Sequence, residues 1–262
     1  MRKAVAAAIF ALALPVHAST FTSDITDLWW NPNEPGWGVN IIHQGDTLFL
    51  TFFVYAADGS ARWYSASDVR NTSNTGGAIS FQGTLFETRG VQNAGSTSYR
   101  EVGSVLFTSS TLNSATLTYS VDGNLVTKQL SRYAFRLNNL SGSFMGLLLG
   151  TYTNCASGIG YSEELAPLTI TQTANNSITI SSSGTATSCQ FTGTYSQLGS
   201  IGNITGSVSC TATATGATAS GTFHFFDFEA AISGIVGRGT MDFGNGCTWL
   251  GRLGWVKRFT GS

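Results

Sequence analysis

Val39-Asn40-Ile41-Ile42-His43-Gln44-Gly45-Asp46-Thr47-Leu48-Phe49-Leu50-Thr51-Phe52-Phe53-Val54-Tyr55 decides the fold. Val39, Ile41 and His43 alternate with Asn40, Ile42 and Gln44, which is the two-residue period of a β-strand. Gly45-Asp46 is a two-residue hairpin loop of the kind that suits a primed turn. The return strand, Thr47 to Tyr55, is apolar on both faces, with Leu48, Leu50, Phe52 and Val54 on one and Phe49, Phe53 and Tyr55 on the other. Such a strand is either central in the fold or carries an exposed aromatic face. Asp58-Gly59 makes the next turn and residues 61–67 a third strand, so the segment is an antiparallel meander.

The same rhythm runs outward from this hairpin. Residues 71–77 form a polar loop, and 79–86, 103–108, 114–121 and 125–135 read as four more strands, with Asp122-Gly123-Asn124 turning between the last two. After a polar, small-residue stretch at 138–143, a second series follows at 144–153, 168–173, 177–181, 189–195, 202–210, 221–230, 235–243 and 247–257. The Thr/Ala/Gly run at 211–220 reads as a flexible loop, and Glu163-Glu164 as loop residues. Upstream, two prolines and two glycines between Pro32 and Gly38 argue against a regular element around residues 28–38. Strands this short, at roughly ten-residue spacing, indicate sandwiches or barrels. The expected fold is all-β, antiparallel meanders forming two β-barrel-like or sandwich-like units.

Composition agrees. Ser and Thr make up 65 of the 262 residues, Gly 31, aromatics 12% and charged residues only 10%. Aromatic and β-branched residues favour pleated, half-buried strands, while Gly, Asn and Ser supply turns. Disorder and helical bundles are excluded by the aromatic content and by the lack of Ala/Glu/Lys/Leu dominance. Net charge is −1 with no basic stripe, which disfavours nucleic-acid binding.

Residues 1–18 read as a secretory signal peptide: Arg2 and Lys3, an apolar stretch from Ala4 to Leu14, then Val16-His17-Ala18 with small residues at the cleavage positions. No later segment reaches 18 apolar residues, so no transmembrane anchor is expected. The domains expected are a Trp-rich antiparallel β module at 19–140 and a disulfide-containing β module at 141–262. Cys155, Cys189, Cys210 and Cys247 are an even set in a chain bound for export, which points to two disulfides. Three pairings are open, and the expectation leans to the consecutive one, Cys155–Cys189 with Cys210–Cys247. There is no CxxC pair, so no metal site is expected, and nothing calls for a cofactor. The expected location is periplasmic or extracellular; oligomeric state is not legible.

Four of the six tryptophans lie between residues 29 and 63. Trp29, Trp30, Trp37, Trp63 and Tyr64, with Asn31 and Glu34 beside them, are the candidate ligand-binding set, because indole faces stack on sugar rings and other flat ligands. The alternative is a plug that closes a barrel core. The string Trp29-Trp30-Asn31-Pro32-Asn33-Glu34-Pro35-Gly36-Trp37-Gly38-Val39-Asn40, followed by His43-Gln44-Gly45-Asp46 and Tyr55-x-x-Asp58-Gly59 before Trp63, resembles a module of exported Gram-negative bacterial proteins. That module reads Trp-Trp-Asn-Pro-x-Glu-Ser-Gly-Trp-Gly-x-Asn, and Pro35 stands where it has Ser. Thr192-Gly193-Thr194-Tyr195 and residues 251–258 resemble the Cys- and Gly-rich tail of such proteins. The resemblance implies export and an all-β module; it transfers no catalytic residue.

Enzyme signatures such as GxSxG, HExxH and the Walker loop do not occur. One segment nonetheless concentrates titratable groups: His224-Phe225-Phe226-Asp227-Phe228-Glu229. On a regular strand Phe225, Asp227 and Glu229 share one face, with the carboxylates roughly 6.5–7 Å apart. That is near the spacing of an inverting glycosidase pair. Three functions follow. The first is binding of a glycan or another envelope-surface ligand through the Trp cluster. The second is hydrolysis by Asp227 and Glu229, assisted by His224 or His43. The third is a structural or assembly role in a surface or secretion system.

Overall fold

The computed structural model describes residues 24–56, 58–73, 78–90, 97–155, 158–244 and 246–258. The expected signal peptide lies outside these residues, as do 74–77 of the expected loop. Among them there is no helix: sixteen antiparallel strands form two closed eight-stranded barrels, so of the two expected architectures both units take the barrel.

The first barrel comprises β1 (Asp27–Trp30), β2 (Gly38–Gln44), β3 (Thr47–Tyr55), β4 (Ala61–Ser73), β5 (Ile79–Gly90), β6 (Thr97–Ser109), β7 (Ser114–Val121) and β8 (Asn124–Arg132). Each strand pairs with its neighbours in sequence, and β8 closes on β1 through Trp29↔Arg132 and Trp30↔Ser131. The β7–β8 hairpin turns on Asp122 and Gly123, both with positive φ (49° and 83°), the backbone that a primed two-residue turn needs. Alternation fills the interior: Val39 and Ile41 on β2, then Leu48, Leu50 and Phe52 on β3, are all fully buried.

The second barrel comprises β9 (Gly142–Cys155), β10 (Gly158–Gln172), β11 (Ser177–Ser183), β12 (Thr187–Leu198), β13 (Ile201–Ala212), β14 (Thr218–Ala231), β15 (Gly234–Asp242) and β16 (Thr248–Lys257). Its last strand closes on its first over a long register, from Thr248↔Thr153 to Lys257↔Phe144. Phe191, Tyr195, Phe225, Phe228, Trp249 and Trp255 fill it.

Closure corrects four expectations. First, Asp27–Trp30 is a strand despite the prolines that follow, because the turn begins only at Asn31, whose carbonyl accepts from Glu34 N–H at 3.0 Å. Second, Glu163 and Glu164 are strand residues, paired with Leu149 and Leu148 of β9. Third, the 211–220 loop shrinks to 213–217, because β13 and β14 extend into it. Fourth, the disulfides are Cys155–Cys247 and Cys189–Cys210. Cys189 and Cys210 stand directly opposite on β12 and β13. Cys155 and Cys247 are 92 residues apart, yet closure of β16 on β9 sets their ends side by side. Pairing consecutive cysteines fails when the first and last strands of a barrel are neighbours.

The barrels touch through a polar junction. Arg132, with no side-chain exposure, donates to Asp27 Oδ2 at 3.0 Å, to Leu112 O at 2.5 Å and to Asp24 O at 2.7 Å. Gly199, in the β12–β13 turn, lies against this pair at φ 58°. A Cβ there would collide with the Asp27 carboxylate and with Arg132 Cβ, so the position needs glycine on two counts.

Candidate functional site

Alternation on β1 splits the tryptophan pair. Trp29 points inward and is 1% exposed, its edge on Phe107 at 5.6 Å and its Nε1–H donating to Ile25 O at 3.0 Å. The Arg132 guanidinium lies 4.8 Å from its ring centre. Trp29 is therefore core, which corrects its place in the ligand-binding set. Tyr64 is corrected likewise: it packs against the core from within the barrel, where burial and the nearby Glu87 carboxylate raise its pKa above the usual tyrosine value.

Trp30 points outward and begins a row. The register runs Trp30↔Gly38, Gly38↔Phe53 and Phe53↔Trp63, one residue on each of β1 to β4. Side chains at paired positions of adjacent strands share a face, so this row crosses the outer wall of the barrel. Over three strand spacings it spans about 14 Å. Phe53 is 41% and Trp63 58% exposed, and their rings meet edge to face at 5.6 Å. Tyr133, just past β8, packs edge-on to Trp30 at 5.1 Å. Gly38 leaves the space between Trp30 and Phe53 open as a groove of about 390 Å³, bordered by Pro35, Gly36, Trp37 and Tyr133.

A second row lies two residues along on the same wall: Asn40↔Thr51 and Thr51↔Ser65. These three side chains make no hydrogen bond among the described residues, and so present free donors and acceptors beside the aromatic row.

Trp37, Asn31 and Glu34 build the edge of the groove. Trp37 stacks on Tyr119 and donates to its hydroxyl at 3.3 Å, closing one mouth of the barrel. Asn31 Nδ2 donates to Glu34 Oε1 at 2.7 Å, and Lys128 pairs with the other oxygen of Glu34. Their polar atoms brace the loop instead of facing a ligand. Of the seven expected residues, Trp30 and Trp63 are on the surface row and Trp37 lines its border. Phe53 and Tyr55 were legible as the second apolar face of β3. Tyr133 and the gap at Gly38 were not, because only register reveals them.

The expected carboxylate site lies elsewhere, in a cleft of about 460 Å³ between the barrels. Asp227 adopts a left-handed backbone (φ 51°), and the β14–β15 register jumps from Phe226↔Arg238 to Glu229↔Val236. This is a β-bulge, and it re-aims the side chains. Phe225 and Phe228 are both buried, whereas strict alternation would send them to opposite faces. Asp227 and Glu229 both line the cleft, but Asp227 is held by Arg238 at 2.5 Å. Burial raises the pKa of Glu229, as does the Asp24 carboxylate across the cleft; Arg132 opposes them.

His43 reaches this region indirectly. Its Nδ1 lies 3.6 Å from Asp24, which the His43 hydrogen bond holds at a pKa of about 2. His224 is exposed beside Phe226, with ring centres 4.9 Å apart, and does not line the cleft. Among the described residues no group of His, Cys, Asp and Glu has the arrangement of a metal centre, and no helix is long and apolar enough to cross a membrane.

Compared with known protein-family models and with curated proteins, the chain matches none.

Proposed function

We propose that this chain is an exported binding protein that takes a glycan on the outer wall of its first barrel. The observation that carries the reading is the Trp30–Gly38–Phe53–Trp63 row, with the polar Asn40–Thr51–Ser65 row alongside. Sugar rings offer an apolar C–H face and a rim of hydroxyls. Aromatic faces take the first, and short amide and hydroxyl side chains take the second. About 14 Å of platform suits a run of sugar units rather than a single one. Neither row carries a charge, so the fit is to a neutral, hydroxyl-rich polymer. The two disulfides accord with an oxidising compartment outside the cytoplasm.

Affinity electrophoresis in gels cast with neutral polysaccharides tests the reading. The wild-type chain is retarded by at least one of them, and Trp63→Ala and Gly38→Val both run unretarded with unchanged circular dichroism. Equal mobility of wild type and variants in every gel refutes it.

A further inference from the structure

The cleft between the barrels holds two charge deficits of opposite sign, one at each end. Arg238 and Arg252 face each other in register on β15 and β16. Arg238 is pinned by Asp227 and lies over the Phe226 ring, 5.4 Å from its centre. Arg252 is exposed and has no carboxylate partner among the described residues. Only one of the two guanidinium groups is thus matched by a carboxylate, and Arg252 keeps its N–H donors in a fork that matches a carboxylate.

At the other end, Glu229 makes no ion pair and no side-chain hydrogen bond among the described residues. The carboxylates that face it are already engaged, Asp24 by His43 and Asp27 by Arg132 and Ser200. The cation acting on it is Arg132, whose guanidinium is spent on Asp27 and on the carbonyls of Asp24, Thr26 and Leu112. This end lacks a cation as the other lacks an anion. Val236, opposite Glu229 on β15 and two residues from Arg238, lines the wall between them, with Ile201 beyond Glu229 on β13, and the volume falls within the roughly 300–1,000 Å³ of small-molecule sites.

We propose that this cleft is a second binding site, for a zwitterionic ligand of the amino-acid or short-peptide class, its carboxylate on Arg238 and Arg252 and its ammonium against Glu229. The apolar wall takes a small aliphatic side chain. The site shares no residue with the aromatic row, so each can fail without the other.

Isothermal titration with alanyl-alanine, N-acetyl-alanyl-alanine and alanyl-alanine amide tests it. Alanyl-alanine binds the wild-type chain saturably at one site, and the two blocked forms bind at least tenfold more weakly. Arg252→Gln and Glu229→Gln each weaken alanyl-alanine at least tenfold, with thermal melts no lower than wild type, while Trp63→Ala leaves it unchanged. No saturable binding of alanyl-alanine, equal binding of either blocked form, or undiminished binding by either cleft variant overturns the proposal.

Discussion

Asp27 Oδ2 accepts both the backbone N–H of Ser200, at 2.7 Å, and its hydroxyl, at 3.0 Å. One carboxylate on the first strand of the first barrel thereby holds a turn of the second, while also pairing with Arg132. Asp27→Ala removes both links and leaves a buried guanidinium without its counter-charge. Breaking a buried pair in this way costs about 3–5 kcal/mol. Urea unfolding should show a loss of that size, against less than about 1.5 kcal/mol for Ser200→Ala, which removes a single hydroxyl bond.

The two neighbouring tryptophans should separate cleanly by stability. Trp29→Ala empties a fully buried site and should cost about 3–5 kcal/mol. Trp30→Ala and Trp63→Ala remove outward rings and should each cost about 1 kcal/mol or less. Denaturant midpoints of the three variants check this, and a large loss in Trp63→Ala would move that residue into the core.

Loop length ranks the disulfides. Cys155–Cys247 closes 92 residues and Cys189–Cys210 closes 21. Chain-entropy arithmetic assigns about 4–5 kcal/mol to the first and about 3 kcal/mol to the second. Paired Cys→Ala variants, unfolded chemically without reductant, should fall in that order.

Acid stability should carry the signature of Asp24. Its carboxyl is lowered from 3.8 to about 2, chiefly by the His43 hydrogen bond. A folded-state pKa below the unfolded value adds stability that is complete above pH about 4 and is lost as pH falls toward 2. Half-exposure and solvent screening hold the contribution to about 1 kcal/mol. His43→Ala should flatten the pH dependence of unfolding in that window. Glu229 has the opposite sign: its raised pKa makes stability fall as pH rises through and above the ordinary carboxylate range, and Glu229→Gln should remove that decline.

The barrels were legible because a two-residue period survives even in a chain one quarter Ser and Thr. The sequence Val39 to Tyr55 fixes both strand direction and the inner face. Cys189-x-Phe191-x-Gly193 and Cys247-x-Trp249-x-Gly251 show the same logic. In each, the cysteine marks a barrel end, the aromatic points inward, and glycine follows on the same face. What stayed hidden depends on contacts between distant strands. β1 is only four residues long and is defined by its partners, not by its own pattern. The disulfide pairing depends on which strands close the ring. The bulge at Asp227 inverts a face that local alternation predicts the other way. Trp29 and Trp30 are indistinguishable by type, and only the pleat sends one inward and the other out.

The short first strand has one further consequence. β1 reaches β8 through Trp29↔Arg132 and Trp30↔Ser131, whereas β16 lies along β9 from Thr248 to Lys257. Opening of the first ring therefore begins at β1, and its amides should exchange with solvent well before those of β9. Trp30 is on that strand and Trp63 is three strands away. A polymer bound across both, as proposed, would act as a hoop around the weakest stave, so that occupancy and closure of the ring would become one equilibrium.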